Sequence, residues 1–144
     1  MTSIHRNNYL ETEILEADPL KLVRILYRAG IEAIRRAQAA LELGDIEERT
    51  RNVTKAMMIV SELMLSVSRE HGGEVAANLV ELYDYVLRKL GEAHIEQSAA
   101  RFEEALKPLQ TLLEAWDEIG TNAVPDVSPT AGVAAGYSPV SVAL

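Results

Sequence analysis

The chain has 144 residues, 48% of them hydrophobic and none of them cysteine, and its 14 Lys plus Arg against 22 Asp plus Glu leave a formal net charge of -8. That is enough apolar material for one compact domain with its own core, and it excludes disulfides, thiolate metal sites and a cysteine nucleophile. The acidic balance, with no Lys/Arg stripe interleaved with aromatics, argues against nucleic acid as a partner.

The first residues, "MTSIHRNNYLETEILEADP", lack the apolar stretch of a secretory signal, and no run in the chain reaches the roughly 18 apolar residues of a spanning helix. A soluble, cytoplasmic protein that is not membrane-embedded is therefore expected. Residues 1–17 read as a leader whose Ile4, Tyr9, Leu10, Ile14 and Leu15 can lie on the domain as an N-terminal cap.

A first helix is predicted from "ADPLKL", with Asp18 as N-cap and Pro19 at the first helical position, where a missing N–H costs nothing. It runs to Gly44, a left-handed terminator. Asp45 then caps a second helix, with Glu48 at capping-box spacing, so the first two helices form a tight antiparallel hairpin. Gly72 and Gly73 end the second helix, and a third is expected from about Glu74 to Ala93. The fourth starts near Ile95 to Ser98 and ends at Gly120. Pro108 lies inside it and is expected to kink it without ending it, because Phe102, Leu106, Leu109, Leu113 and Trp116 continue one stripe across the proline. Four helices of roughly 30 to 38 Å with short connections predict an all-α, antiparallel up-down four-helix bundle over residues 18–120. The remaining residues, 121–144, with three prolines, small residues and one charge, read as a flexible, disordered tail.

Helical wheels at about 100° per residue expose an anomaly. In the second helix Ile46, Val53, Met57, Val60, Met64 and Val67, with Ala56 and Leu63 alongside, form an inward seam. Met58 and Leu65 lie roughly 140 to 160° away from Val60, in an uncharged strip with Thr54 and Ser61. The third helix has a seam of Val75, Leu79, Leu82, Val86, Leu90 and Ala93, and a second of Ala76, Val80, Tyr83 and Leu87 turned by about 80 to 100°. Two readings account for these wide apolar arcs. Either neighbouring helices cover them as core, or they line a groove for the amphipathic helix of a partner, with flexible methionines suited to imperfectly defined ligands.

Catalytic chemistry finds no footing. His5, His71 and His94 belong to no HExxH pair, and Glu92 stands two residues before His94, not the three of a di-iron Glu-x-x-His repeat. Neither an enzyme, nor a metal, nor a cofactor is expected.

The stretches "YLETEILEADPLKLVRILY", "GDIEERTRNVTKAMMIVSEL", "GGEVAANLVELYDYVLRKLGEAH" and "LLEAWDEI" resemble, in order and spacing, the successive blocks of the flagellar secretion chaperone (FliS) family, the flagellin-specific export chaperones. The resemblance covers roughly residues 9–119. Tyr9, Gly72, Gly73, Asn78, Leu79, Leu82, Tyr83 and Tyr85 fall on its motif positions, most of them structural. The family pattern has a Met-Leu-Tyr-Asp-Gly-like stretch where this chain has Ile25 to Ala29, and an Asn where it has His94.

The resemblance implies a cytoplasmic helical bundle that binds the disordered C-terminal segment of flagellin, prevents premature filament assembly, and helps deliver flagellin to a flagellar type III export gate component. Under that reading the partner-binding residues are Met58, Leu65, Thr54, Ser61, Ala76, Val80, Tyr83, Leu87 and Tyr9, on a monomer or weak homodimer. The rival reading is a homodimeric helical-bundle adaptor whose strips bury against a second copy.

Overall fold

The computed structural model describes residues 19–70 and 73–123. These form four helices: α1 (Pro19–Leu43), α2 (Ile46–Glu70), α3 (Gly73–Glu96) and α4 (Ala99–Ala123). Each has 24 or 25 residues, about 37 Å at 1.5 Å per residue, so the helices match in length and can pack along most of their span. Each helix packs on its neighbours in sequence, and α4 returns to α1. The ring closes as an all-α, up-down four-helix bundle. The predicted leader cap, the Asp18 cap and residues 124–144 of the predicted tail lie outside the described residues, whereas residues 121–123, expected in the tail, are helical, so that α4 continues to Ala123, past the end expected at Gly120.

The α1–α2 hairpin turns where its residues dictate. Gly44 takes φ 72°, Gly44 N–H donates to Leu41 O at 3.2 Å and Asp45 N–H to Ala40 O at 2.9 Å. This is a Schellman ending, which satisfies carbonyls that the helix end leaves bare. Asp45 Oδ1 accepts from Glu48 N–H at 3.1 Å, the forward half of the expected capping box. The reciprocal half is absent. Asp45 N–H is already used by Ala40, and the Glu48 carboxylate turns instead to Arg51 and to Asn52 Nδ2.

The α3–α4 turn repeats the geometry with a residue ill suited to it. Gln97 takes φ 54°, Ser98 N–H donates to Ala93 O at 3.0 Å, and Ser98 Oγ caps α4 by accepting from Arg101 N–H at 3.2 Å. A side chain in the left-handed region costs about 1 kcal/mol relative to glycine. Gln97→Gly is therefore expected to raise the urea midpoint by an amount equivalent to about 1 kcal/mol, and Gly44→Ala to lower it by about as much. Nothing lies within 4 Å of a Cβ at Gly44, so the backbone alone sets that loss.

The core is one continuous cluster. Tyr27, Ile31, Ile34 and Ala37 come from α1, Val53, Ala56, Val60 and Leu63 from α2, Tyr83, Val86, Leu90 and Ala93 from α3, and Phe102, Ala105, Leu106 and Leu109 from α4. The α4 stripe continues past Pro108 without a break in the helix, with Leu113 and Trp116 packed partly buried against the cluster. Two expected seam residues are corrected. Ile46 is 63% and Val75 73% exposed, because each stands in the first turn of its helix, where no neighbour extends to cover it.

The helices are also tied laterally. Asp117 Oδ1 on α4 accepts from Arg24 Nε at 3.0 Å and Arg28 Nη2 at 2.7 Å on α1, so Arg28 holds α4 directly. Between α3 and α4, Lys89, Glu92, Arg101 and Glu104 form an ion-pair network.

Candidate partner-binding face

The α2 wheel turns further inward than the sequence seam implies. Its buried side is centred on Val53, Ala56, Val60 and Leu63, joined by Arg49 and Asn52, while Met57 and Met64 are only partly buried. The uncharged strip beyond them therefore faces outward. Met58 is 67% and Leu65 50% exposed, Thr54 is exposed and Ser61 half-buried.

The contact between α2 and α3 places this strip beside its counterpart. Arg49 Nε donates to His94 Nδ1 at 3.2 Å, and Thr50 Oγ1 lies 3.5 Å from His94 Nε2. Thr50 Oγ1–H donates to Ile46 O at 2.8 Å, so a His94 Nε2–H can be accepted by the same hydroxyl. The helices are antiparallel, so steps of two turns from this contact bring Met57 level with Leu87 and Met64 level with Val80. Val80 and Leu87 are half-buried. Met58, Leu65, Thr54 and Ser61 run along the outward side of α2 at the levels of Leu87 and Val80 on α3, and this mixed apolar and hydroxyl strip between the two helices is the candidate furrow.

Two of the residues expected at this site are placed otherwise. Tyr83 is 1% exposed and Ala76 is buried, so both are core residues and leave the exposed strip. The physical reason is that the α3 core arc spans both predicted seams, with Leu79, Tyr83, Val86 and Leu90 inward together. Tyr9 lies outside the described residues. Asn78, Leu82 and Tyr85 line a separate shallow cleft of about 500 Å³ with Asp84 and Arg88 on the other flank of α3.

Behind the furrow sits a buried polar cluster that the wheels could not distinguish from plain core. The Tyr27 and Tyr83 hydroxyls hydrogen-bond at 2.6 Å, and their rings pack edge to face at 6.3 Å, as do those of Tyr27 and Trp116. Burial raises the Tyr27 pKa, offset in part by the Tyr83 hydroxyl and the Trp116 indole, which favour its anion. Burial also raises Tyr83 far above the ordinary phenol value, reinforced by repulsion from, and hydrogen bonding to, Tyr27. Trp116 Nε1 is buried and falls short of a hydrogen bond, although it is near enough to Tyr27 to influence that phenol.

Sequence reasoning also missed the role of His94. Arg49 is 95% buried in effect, at 5% exposure, and no carboxylate among the described residues pairs with it, so His94 Nδ1 supplies its acceptor. Removing that acceptor leaves a buried guanidinium short of a partner. His94→Ala is expected to cost about 1–3 kcal/mol in denaturant unfolding, whereas His94→Asn, whose Oδ1 can accept the same N–H, is expected to recover most of it.

Among the described residues no group of three or more His, Asp or Glu is disposed to hold a metal, and no helix is long and apolar enough to cross a membrane. Comparison with known proteins agrees on the kind of molecule this is. A family described as "Flagellar protein FliS" matches residues 1–123. The chain is 35% identical over 115 residues to the flagellar secretion chaperone FliS of Salmonella typhimurium, covering 79% of this chain and 85% of that one. It is 34% identical over 116 residues to the Campylobacter jejuni protein of the same name, covering 81% and 91%. To the flagellar secretion chaperone FliSB of Pseudomonas aeruginosa it is 31% identical over 110 residues, covering 76% and 87%.

Proposed function

The chain belongs to the FliS family of flagellar proteins, and from that premise we propose that it is a cytoplasmic secretion chaperone whose α2–α3 face holds the C-terminal segment of flagellin before flagellar type III export. The observation that carries this reading is the pair Met58 and Leu65, exposed on a bundle whose core is already complete without them. A disordered amphipathic segment can fold as a helix along such a furrow, its apolar side covered by Met58, Leu65, Val80 and Leu87 and its polar groups met by Thr54 and Ser61. Ordering the segment on binding offsets much of the gain from burial, which keeps the complex tight enough to prevent polymerisation and loose enough to release at an export gate component.

The function needs no catalysis, and the relatives' names as secretion chaperones fit that description. Size-exclusion chromatography with light scattering, with and without a flagellin C-terminal peptide, tests it. A monomer that becomes a one-to-one complex is the expected result. A dimer indifferent to the peptide overturns it and favours the homodimeric adaptor.

A further inference from the structure

The fold accounts for Gly30, Gly44 and Gly73. Gly44 and Gly73 take φ 72° and 90°, a backbone that other residues enter only with strain. Gly30 lies where α1 and α2 approach closely, since a Cβ there would stand 3.4 Å from Ile59 Cγ2. Gly91 answers to neither reason. Its φ is outside the left-handed region, and nothing lies within 4 Å of a Cβ built on it, yet it sits inside α3, more than a turn before the helix ends at Glu96. Among residues other than proline, glycine is the least favourable in a helix interior, so α3 is weakened at a point where its own packing does not require it.

The weak point lies on the furrow. His94 touches Arg49 and Thr50 across the α2–α3 contact. One turn from that contact along α3 stands Gly91, and one turn in the same direction along α2 stands the exposed Thr54. On the α3 wheel Gly91 is about 60° from His94 and about 40° from Leu87, on the side away from the fully buried Leu90 and Ala93. Its neighbours one turn either way on that side are Leu87, which is half-buried, and Ile95, which is 80% exposed. The missing side chain thus leaves an apolar notch in the outer surface of α3, level with Thr54 and one turn from the exposed Met58 on α2. Arg88, beside it on the solvent side, is paired with Asp84 at 3.1 Å.

Taking the α2–α3 furrow as the client site, on which this inference rests, we infer that Gly91 is a specificity-determining residue: the bound flagellin segment sets a large apolar side chain over it, as a knob between Leu87, Ile95 and Thr54. The borders of the notch select an apolar knob, because they offer two aliphatic side chains and a threonine methyl group. The knob also fixes the register of the segment, since a slip of one residue turns it about 100° away from the notch.

The test uses the full chain and a fluorescently labelled flagellin C-terminal peptide, with affinity read by anisotropy and melting temperature by circular dichroism. Gly91→Ala replaces a helix-interior glycine in open space, and is expected to raise the melting temperature by about 4 °C while weakening peptide binding severalfold. Gly91→Leu fills the notch and is expected to keep the parent's fold and weaken binding at least tenfold. Ala39→Leu, a similar enlargement of an exposed residue on α1, is expected to leave binding unchanged. Among peptides with alanine at each large apolar position in turn, one is expected to bind Gly91→Leu as well as it binds the parent, and that position is the knob. Parent affinity in both Gly91 variants would overturn the inference and leave the client site in place, whereas a parent that does not bind the peptide would overturn both. Equal weakening by Ala39→Leu, or a loss in Gly91→Leu that no alanine peptide relieves, would also overturn it.

Discussion

Val60→Glu is expected to leave no cooperative thermal transition, whereas Met58→Glu and Leu65→Glu melt within about 4 °C of the parent. Val60 is fully buried in the centre of the core cluster, so a glutamate there places a carboxylate among apolar side chains with no partner, at a cost that exceeds what a domain of this size can spare. Met58 and Leu65 point to solvent, and a charge at either stays hydrated in the free protein. The same charge becomes buried only when a partner covers the furrow. Both variants are therefore expected to lose flagellin-peptide binding while keeping the parent circular dichroism. Equal destabilisation by Met58→Glu and Val60→Glu would mean that Met58 belongs to the core.

The second large effect is alkaline unfolding driven by the buried tyrosine pair. In the folded chain Tyr27 and Tyr83 both hold their protons above the ordinary phenol range, while in the unfolded chain they ionise near pH 10. Raised acids of this kind contribute stability that is complete below about pH 10 and is lost as the pH climbs beyond it, because only the unfolded state gains the anion. Each tyrosine contributes a slope that rises from about 0.7 kcal/mol per pH unit at pH 10 toward about 1.4 at higher pH, and urea midpoints between pH 10 and 11, followed by Trp116 fluorescence, are expected to fall accordingly. The double variant Tyr27→Phe, Tyr83→Phe should flatten that fall. At neutral pH each single variant strands one hydroxyl and is expected to cost about 1–3 kcal/mol, with the double variant closer to the parent than the sum of the two. A parent and double variant with the same alkaline slope would remove the pair as its cause.

The hairpins were legible where the chemistry is local. Gly44 and Asp45 end one helix and begin the next because a left-handed backbone and a side-chain cap depend on the residues themselves. The Gln97 ending carried no comparable signal, since glutamine is a poor residue for that conformation and is held there by the bonds around it. The Glu48 carboxylate likewise had the right spacing for a capping box, but Arg51 and Asn52 compete for it on the same helix.

The periodicity of the apolar residues and the turn chemistry determined by themselves that this chain makes four antiparallel helices, and that α2 and α3 carry more apolar surface than a single seam needs. Tertiary structure alone decided which of that surface is core. A wheel reports the angle of a side chain and says nothing of its height along the axis. Ala93 stands at the same angle as Val75, about five turns away, yet Ala93 is fully buried and Val75 is 73% exposed, because neighbours pack beside one and not beside the other. The same limit hid the furrow: Tyr83 and Val80 fall in one predicted seam, but Tyr83 turns inward to meet Tyr27 on α1, and that contact exists only once the four helices have closed into a ring.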